Sequence, residues 1–536
     1  MITTDLFFRI INNERWSRSE MKNRFVKKFF PLIYIMAIGL TASGCKPVSQ
    51  NTDIPEAEAV QADAFVLADE VNTGMLKMGL SCHDPQIIVG QDGQYYMCGS
   101  HMVMAKSTDL SNWEYTANGN RMFDNIYDGD LPAFAYVGKN TDGGYSVWAS
   151  NIFYNQTMDK YIMYFCTTSS YIKSNLCMAV SDSPQGPFSY VDTILYSGFS
   201  KDEIAQTNLY EVLGEEADIE RYLQYGGFNN KEWPNCIDPA VFTDADGRIW
   251  MTYGSWSGGI FLLELNPETG YPIFPEGDEE KGIDPYYGVH LVGGGHHAVE
   301  GPYIEYCEEN GYYYLFLSYG GLEREGGYQI RQFRSENVTG PYVDAAGNVL
   351  GDDDMYFSYG LKMMGNYQFP SMETAYMAPG GQSTFKSGDE YYITYHQRFD
   401  SGSEYHEPRV HKMFLNRDGW FVTTPFQTAG ETLRGEGYLQ SDIEGTFYLL
   451  NHKVDVSNKI YEGEEYHFEA GVITGGEWSG SYEVEEGSNY VKIVLDDKVY
   501  EGVIVDMQDE AGNPVRCIMA SGAQNMTVWA VQYMSE

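Results

Sequence analysis

Short runs of alternating apolar and polar residues, punctuated by glycine turns, dominate this chain and predict strands joined by hairpins rather than helices. Four stretches repeat one phrase. His83-Asp84-Pro85 leads through Gly93-Gln94-Tyr95-Tyr96 to Gly99-Ser100, and Ile237-Asp238-Pro239 leads through Gly247-Arg248-Ile249-Trp250 to Gly254-Ser255. Glu300-Gly301-Pro302 leads through Gly311-Tyr312-Tyr313-Tyr314 to Ser318-Tyr319-Gly320, and Ala378-Pro379-Gly380 leads through Gly388 and Tyr391-Tyr392 to His396. Each phrase is an acid or small residue near a proline, a strand, an Asn/Asp/Ser-Gly turn and a second strand rich in Tyr and Trp. After Pro425 the phrase stops. Alternating stretches at Thr446 to Leu450, Glu465 to Val472, Val491 to Leu495 and Thr527 to Gln532 predict a separate small β-barrel or sandwich. One stretch reads differently: Leu209, Val212, Leu213, Ile219 and Leu223 among acidic residues predict a helical insertion over Lys201 to Gln224.

A repeated two-strand phrase is the signature of a β-propeller, whose blades circle a central axis. Equivalent positions of successive blades converge on that axis. Three of the four phrases carry a carboxylate in what reads as the same slot, so Asp84, Asp238 and Glu300 are expected to meet in one pocket. Taken singly, an Asp-Pro is more often just a turn. Three in register point to acid/base chemistry on a glycosidic bond, which needs one carboxylate to activate water and one carboxylic acid to protonate the leaving oxygen.

Composition supports a folded all-β chain: 43% of residues are hydrophobic, 44 are Tyr, and 57 Gly are spread through turn positions. The formal charge of −42 excludes nucleic acid, which demands clustered Lys and Arg, and disfavours a polyanionic substrate. A neutral polymer suits this surface. At the amino terminus Lys22, Arg24, Lys27 and Lys28 precede the apolar run Phe29 to Leu40, an export signal with Met21 as the expected start. Ala42-Ser43-Gly44-Cys45 resembles a bacterial lipobox, which makes Cys45 the candidate lipidation site, with simple secretion as the alternative. Residues 46–66 read as a flexible tether, 67–430 as the propeller and 431–536 as the accessory barrel. The remaining seven cysteines are scattered and contain no CxxC pair, so they predict neither a disulfide framework nor a zinc site.

The acidic phrases, in their order, resemble glycoside hydrolase family 43. The residues that carry the resemblance are Ser81 to Pro85, Asn235 to Pro239, Trp250 to Ile260, Val299 to Ile304, Gly340-Pro341-Tyr342, Met364 to Tyr367 and Tyr395 to Phe399. Within the family the likeness is to two-domain, calcium-associated endo-α-1,5-L-arabinanases. It implies an all-β, five-bladed propeller followed by the small barrel. It also implies Asp84 as general base, Glu300 as general acid, and Asp238 as the residue that orients the acid and raises its pKa. His83, Trp148, Asn235, Ser255, Trp256 and His297 are the candidate substrate contacts. His396, by the same resemblance, touches one calcium ion in the central channel, although calcium usually prefers oxygen ligands. One departure stands out: the family commonly has Trp-Ala-Pro-Asp in its second blade, where this chain has Trp148-Ala149-Ser150-Asn151.

The expected function is therefore inverting hydrolysis of internal α-1,5 bonds in arabinan, a neutral side chain of plant cell-wall pectin, by an exported, monomeric enzyme that touches membrane only through a lipid anchor. An exo-acting arabinofuranosidase or β-xylosidase of the same family, or a catalytically silent carbohydrate-binding propeller, are the alternatives, because one scaffold serves them all.

Overall fold

The computed structural model describes residues 71–117, 131–170 and 172–534, which lie in one compact unit. Met21, Cys45, the signal segment 1–45 and the tether 46–66 fall outside the described residues. Five four-stranded antiparallel blades follow one another in chain order. Blade 1 comprises Gln86–Val89, Tyr95–Cys98, Met104–Ser107 and Glu114–Ala117; blade 2 comprises Ser146–Asn155, Lys160–Thr168, Ser174–Ser181 and Ser189–Tyr196. Blade 3 is built on Ala240–Thr243, Ile249–Tyr253, Ile260–Leu265 and Gly288–Val292. Blade 4 comprises Val299–Cys307, Tyr312–Tyr319, Gln329–Ser335 and Leu361–Met364, and blade 5 comprises Tyr376–Ser387, Glu390–Phe399, His406–Leu415 and Phe421–Thr423. The first strand of each blade touches the first strands of both neighbours, with blade 5 returning to blade 1, so these five strands line the axis.

At the head of each first strand one residue adopts the left-handed backbone conformation: Asp84 (φ 51°), Ala149 (φ 43°), Asp238 (φ 54°), Gly301 (φ 59°) and Ala378 (φ 51°). Non-glycine residues reach that region at a cost of roughly 1–2 kcal/mol, and Asp tolerates it better than most. In blades 2, 4 and 5 the strand register slips at this point, between Trp148 and Asn151, Glu300 and Tyr303, and Met377 and Gly380. Such bulges re-aim side chains, here at the axis. The five-fold equivalence also corrects the phrase alignment. Asp84 and Asp238 occupy the left-handed slot itself, whereas Glu300 stands one residue before it and Gly301 takes the strained position. Blade 2 has Ala149 in that slot and no proline after it, which hides its phrase in the sequence.

Each blade shares its apolar faces with its neighbours, as in the cluster of Leu80, Ile87, Met97, Phe385, Tyr392 and Val410 between blades 1 and 5. The same seam is tied by a buried ion pair. Arg409 donates to Glu407 Oε2 at 3.1 Å and to the Leu76 carbonyl at 2.7 Å, while the Met78 N–H donates to Glu407 Oε2 at 3.1 Å. The segment before blade 1 is thereby clamped to blade 5.

Beyond the propeller, eight strands from Gly445–Asn451 to Met526–Tyr533 close into a barrel. Phe447, Tyr466, Phe468, Tyr482, Ile493 and Ile518 fill its interior. On its outer wall Trp529, fully buried, joins Tyr367, Phe369 and Phe421 of the propeller in one apolar cluster. Tyr461–Glu462 also pairs in parallel with Tyr367–Gln368 of the blade 5 sheet, so the chain returns to the propeller after the expected boundary at 431. The helical expectation over Lys201 to Gln224 is largely overturned. The stretch folds as 3-10 turns at Lys201–Gln206 and Ile219–Tyr222 around one short helix, Leu209–Leu213, which Gly214 ends at φ 90°.

Candidate active site

Asp84, Asp238 and Glu300 line a single cleft of about 400 Å³ over the axis, with Trp148 and Thr168 on one side and Leu322 and Tyr328 on another. Three acids far apart in sequence are thus brought together by the ring of first strands.

Asp84 is held by a set of polar neighbours. His83 Nδ1 lies 2.7 Å from Oδ2, and Ser100 donates its hydroxyl to the same oxygen at 2.5 Å. Burial opposes ionisation of Asp84, but the His83 ring and the Ser100 hydroxyl outweigh it and hold the carboxyl below its usual range. Ser100 in turn accepts the Ala149 N–H at 2.8 Å, coupling the base to blade 2.

Glu300 has the opposite character. Trp256 Nε1 and Ser255 Oγ donate to Oε2 at 2.8 and 2.9 Å, and the Tyr328 hydroxyl donates to Oε1 at 2.8 Å. Burial nevertheless raises its pKa, with the Asp84 charge adding to the shift against those three donors. Asp238 has one donor, the Gly301 N–H at 3.1 Å, and burial followed by the neighbouring Glu300 charge pushes it well above the ordinary carboxylate range. Asp238 and Glu300 thus both favour the protonated form, beside an Asp84 that favours its charge.

The remaining candidates divide. His83 lines the cleft, but its Nδ1 serves Asp84. Trp148 lines the cleft, edge-on to His101 at 4.5 Å, with a buried Nε1 that has no hydrogen-bond partner among the described residues. Ser150 Oγ is likewise unpartnered, and Asn151 accepts the Val241 N–H at 3.1 Å, so the altered second-blade phrase ties blade 2 to blade 3. Of the two residues expected against sugar, Ser255 lines the cleft, and both Ser255 and Trp256 donate to Glu300. Asn235 is absent from the cleft wall: it is buried, and its Oδ1 accepts from Ser197 at 3.3 Å. His297 also stands back, stacked on Tyr356 at 4.6 Å with Nε2 3.0 Å from the Asp352 carbonyl oxygen. Sequence reasoning missed Ser100, Ser318 and Tyr328. Ser100 and Ser318 end their phrases just as Ser255 does, and that shared slot was the available signal.

His396 is fully buried, stacked on His83 with ring centroids 3.9 Å apart. Ligand atoms of His83, Asp84 and His396 lie within 4.8 Å of one another, the one such cluster among the described residues. The Nε2 atoms of both rings are buried without hydrogen-bond partners, as are both polar atoms of the Gln397 side chain and Asn366 Nδ2. The two orphaned imidazole nitrogens fit a largely hydrated ion held through nitrogen, not an all-oxygen cage. His396 Nδ1 accepts the Asp84 N–H at 3.2 Å and lies 3.8 Å from Asp84 Oδ1; an ion on Nε2 would place the ring proton on Nδ1 and give up that acceptance.

Comparison with known proteins bears on this geometry. "Glycosyl hydrolases family 43" matches residues 194–421, and a "C-terminal lipocalin-like domain" of that family matches residues 425–530. An extracellular endo-α-(1→5)-L-arabinanase 2 of Bacillus subtilis is 37% identical over 453 residues, spanning 80% of this chain and 88% of that protein. The extracellular endo-α-(1→5)-L-arabinanase of Thermotoga petrophila is 34% identical, spanning 87% of this chain and 96% of its own. Among solved structures, a family 43 protein from Bacillus licheniformis superposes with a TM-score of 0.74 at 33% identity, covering 84% of this chain and 98% of that one. With three acids on a five-bladed ring, a closed barrel behind it and relatives of this extent, the chain belongs to glycoside hydrolase family 43.

Proposed function

We propose that this protein is an inverting glycoside hydrolase that cuts internal α-1,5-L-arabinofuranosidic bonds of arabinan. The observation that carries the chemistry is three carboxyls in one cleft with opposed environments: the partners of Asp84 favour its charge, while burial raises the pKa of Asp238 and Glu300. Asp84 takes a proton from water as that water attacks the anomeric carbon, and Glu300 gives its proton to the departing glycosidic oxygen. Asp238 keeps the acid protonated at a pH where a solvent-exposed glutamate is ionised. The substrate rests on the relatives, which are named endo-arabinanases, and a chain of formal charge −42 suits a neutral polymer.

Calcium belongs to the same reading, with His396 as its protein ligand and water completing the shell. Bound there, its positive charge favours the ionised form of the nearby Asp84. The relatives' extracellular naming supports export, and the lipobox-like Ala42 to Cys45 supports a lipid anchor at Cys45.

Debranched linear arabinan, followed by viscosity and reducing ends together, tests the activity. A steep viscosity loss at few new ends is expected. Arabinose release with viscosity preserved would identify an exo enzyme, and retention of the protein on arabinan without cleavage would identify a binding propeller.

A further inference from the structure

We propose that Tyr328 is a positioning residue of the proton transfer: its hydroxyl fixes the acidic proton on Oε1 of Glu300 and, by rotating, becomes the donor to that oxygen once the proton has left. The inference rests on Glu300 as the general acid.

The two oxygens of Glu300 stand in different surroundings. Oε2 accepts from Ser255 Oγ and from Trp256 Nε1, and an indole N–H can only donate. A proton on Oε2 would point at that donor. Oε1 faces the Tyr328 hydroxyl at 2.8 Å, which can accept as readily as it donates. The obligate indole donor on Oε2 therefore favours Oε1 as the seat of the carboxyl proton.

Tyr328 also has somewhere to send its own hydrogen. The Ser318 hydroxyl is the neighbouring polar group: its Oγ accepts the N–H of Gly381, next to the Gly380 on which the phenol ring packs. Ser318 Oγ gives its proton to Gln382 Oε1 at 2.6 Å, so towards a rotated phenol it can only accept. While Glu300 is protonated, Oε1–H donates to the phenol oxygen and the phenol donates to Ser318. When the proton passes to the leaving oxygen, rotation about one C–O bond turns the phenol hydrogen onto the new carboxylate. The phenol is never ionised and no further proton is exchanged.

The ring is fixed well enough to do this. Tyr328 is 2% exposed and lies flat on Gly380, where a Cβ would stand 2.1 Å from Cε1 and 2.2 Å from Cδ1. Its ring centroid is 5.8 Å from that of His396. The fourth phrase, Ala378-Pro379-Gly380, thus serves the acid of blade 4 by leaving room for this ring.

Tyr328→Phe, which keeps the ring and removes the hydroxyl, tests the proposal. On linear arabinan kcat should fall about ten- to a hundredfold with KM unchanged, the worth of one hydrogen bond to a charged group. On a 4-nitrophenyl arabino-oligosaccharide, whose leaving group needs little protonation, the fall should be about threefold or less. Because the lost donor favoured the carboxylate, the basic limb of kcat/KM should move up by about one pH unit. These ratios do not depend on the fraction of folded enzyme. Equal losses on both substrates, or an unmoved basic limb, would overturn the role of Tyr328. Glu300→Gln in the same assays separates the underlying reading: it should abolish arabinan cleavage and spare the nitrophenyl substrate, and undiminished arabinan cleavage would remove the acid and Tyr328 with it.

Discussion

Asp238 accepts the backbone N–H of Gly301 at 3.1 Å, and Gly301 is the residue that follows the general acid. One carboxyl from blade 3 thereby fixes the peptide that aims Glu300 in blade 4, and the two acids also oppose each other's ionisation through charge. Asp238→Asn separates the two roles, because an amide oxygen still accepts from Gly301 but the neighbouring charge is gone. With no carboxyl partner Glu300 ionises more readily, so the basic limb of kcat/KM should move to lower pH, opposite to the shift for Tyr328→Phe. We expect kcat near neutrality to fall about 10²-fold or more with an undiminished melting temperature. An unmoved pH profile, measured on linear arabinan, would show that Asp238 does not act on the acid's proton.

Gly381 makes the base as dependent on backbone as the acid is. It sits at φ 57°, and a Cβ there would lie 2.3 Å from Asp84 Oδ1 and 2.8 Å from the His396 ring. Gly381→Ala should therefore push the carboxylate off the attacking water, lowering kcat about 10²-fold while substrate binding is largely kept. Steady-state kinetics on arabinan decides it: a normal kcat would mean that the loop yields instead of Asp84.

Much of this arrangement was legible because its causes are local. Asp-Pro and Glu-Gly-Pro set stiff backbone before a strand, Asp-Gly and Asn-Gly form the hairpins, and repetition implied a ring, so the three acids could be placed together from sequence. What was not legible depends on side chains meeting across blades. Glu300 looks equivalent to Asp84 and Asp238 until the left-handed residues are superposed and Gly301 takes the shared slot. Ser255 and Trp256 follow their strand as sugar contacts would, and only the fold shows that both reach Glu300. Asn235 and His297 neighbour the motifs in sequence, yet they hydrogen-bond Ser197 and the Asp352 carbonyl instead of facing the cleft. Tyr328 belongs to no repeated phrase and matters because Gly380 leaves it space.

Removing bound metal should loosen the base before it loosens the fold. The His83 and His396 rings whose Nδ1 atoms face Asp84 carry orphaned Nε2 atoms, so if calcium is bound there, thorough chelation should depress kcat more than KM and lower the melting temperature, with calcium restoring both. His396→Gln should abolish the calcium response. Indifference of both activity and melting in a sample verified metal-free by elemental analysis would leave His396 a packing residue.

Acid should destabilise the propeller through histidines buried in neutral form. His411 is fully buried, with Nδ1 2.7 Å from the Thr424 carbonyl oxygen and Nε2 3.0 Å from the Tyr395 hydroxyl. Nδ1–H donates to the carbonyl and Nε2 accepts from the phenol, so neutral imidazole is satisfied and a second ring proton would meet a donor. Burial, aided by the nearby Arg409 charge, lowers its pKa from 6.5 to about 3. Between those values the unfolded chain binds a proton that the folded chain does not, so stability falls as pH falls through this window. At pH 5 the loss from this one group is about 2 kcal/mol relative to neutral pH. His411→Gln removes the titration, so its stability deficit against the parent protein should shrink by about that amount between pH 7 and pH 5 in urea unfolding. A deficit that stays constant over the same interval would mean that the ring titrates in the folded protein as it does in the unfolded chain.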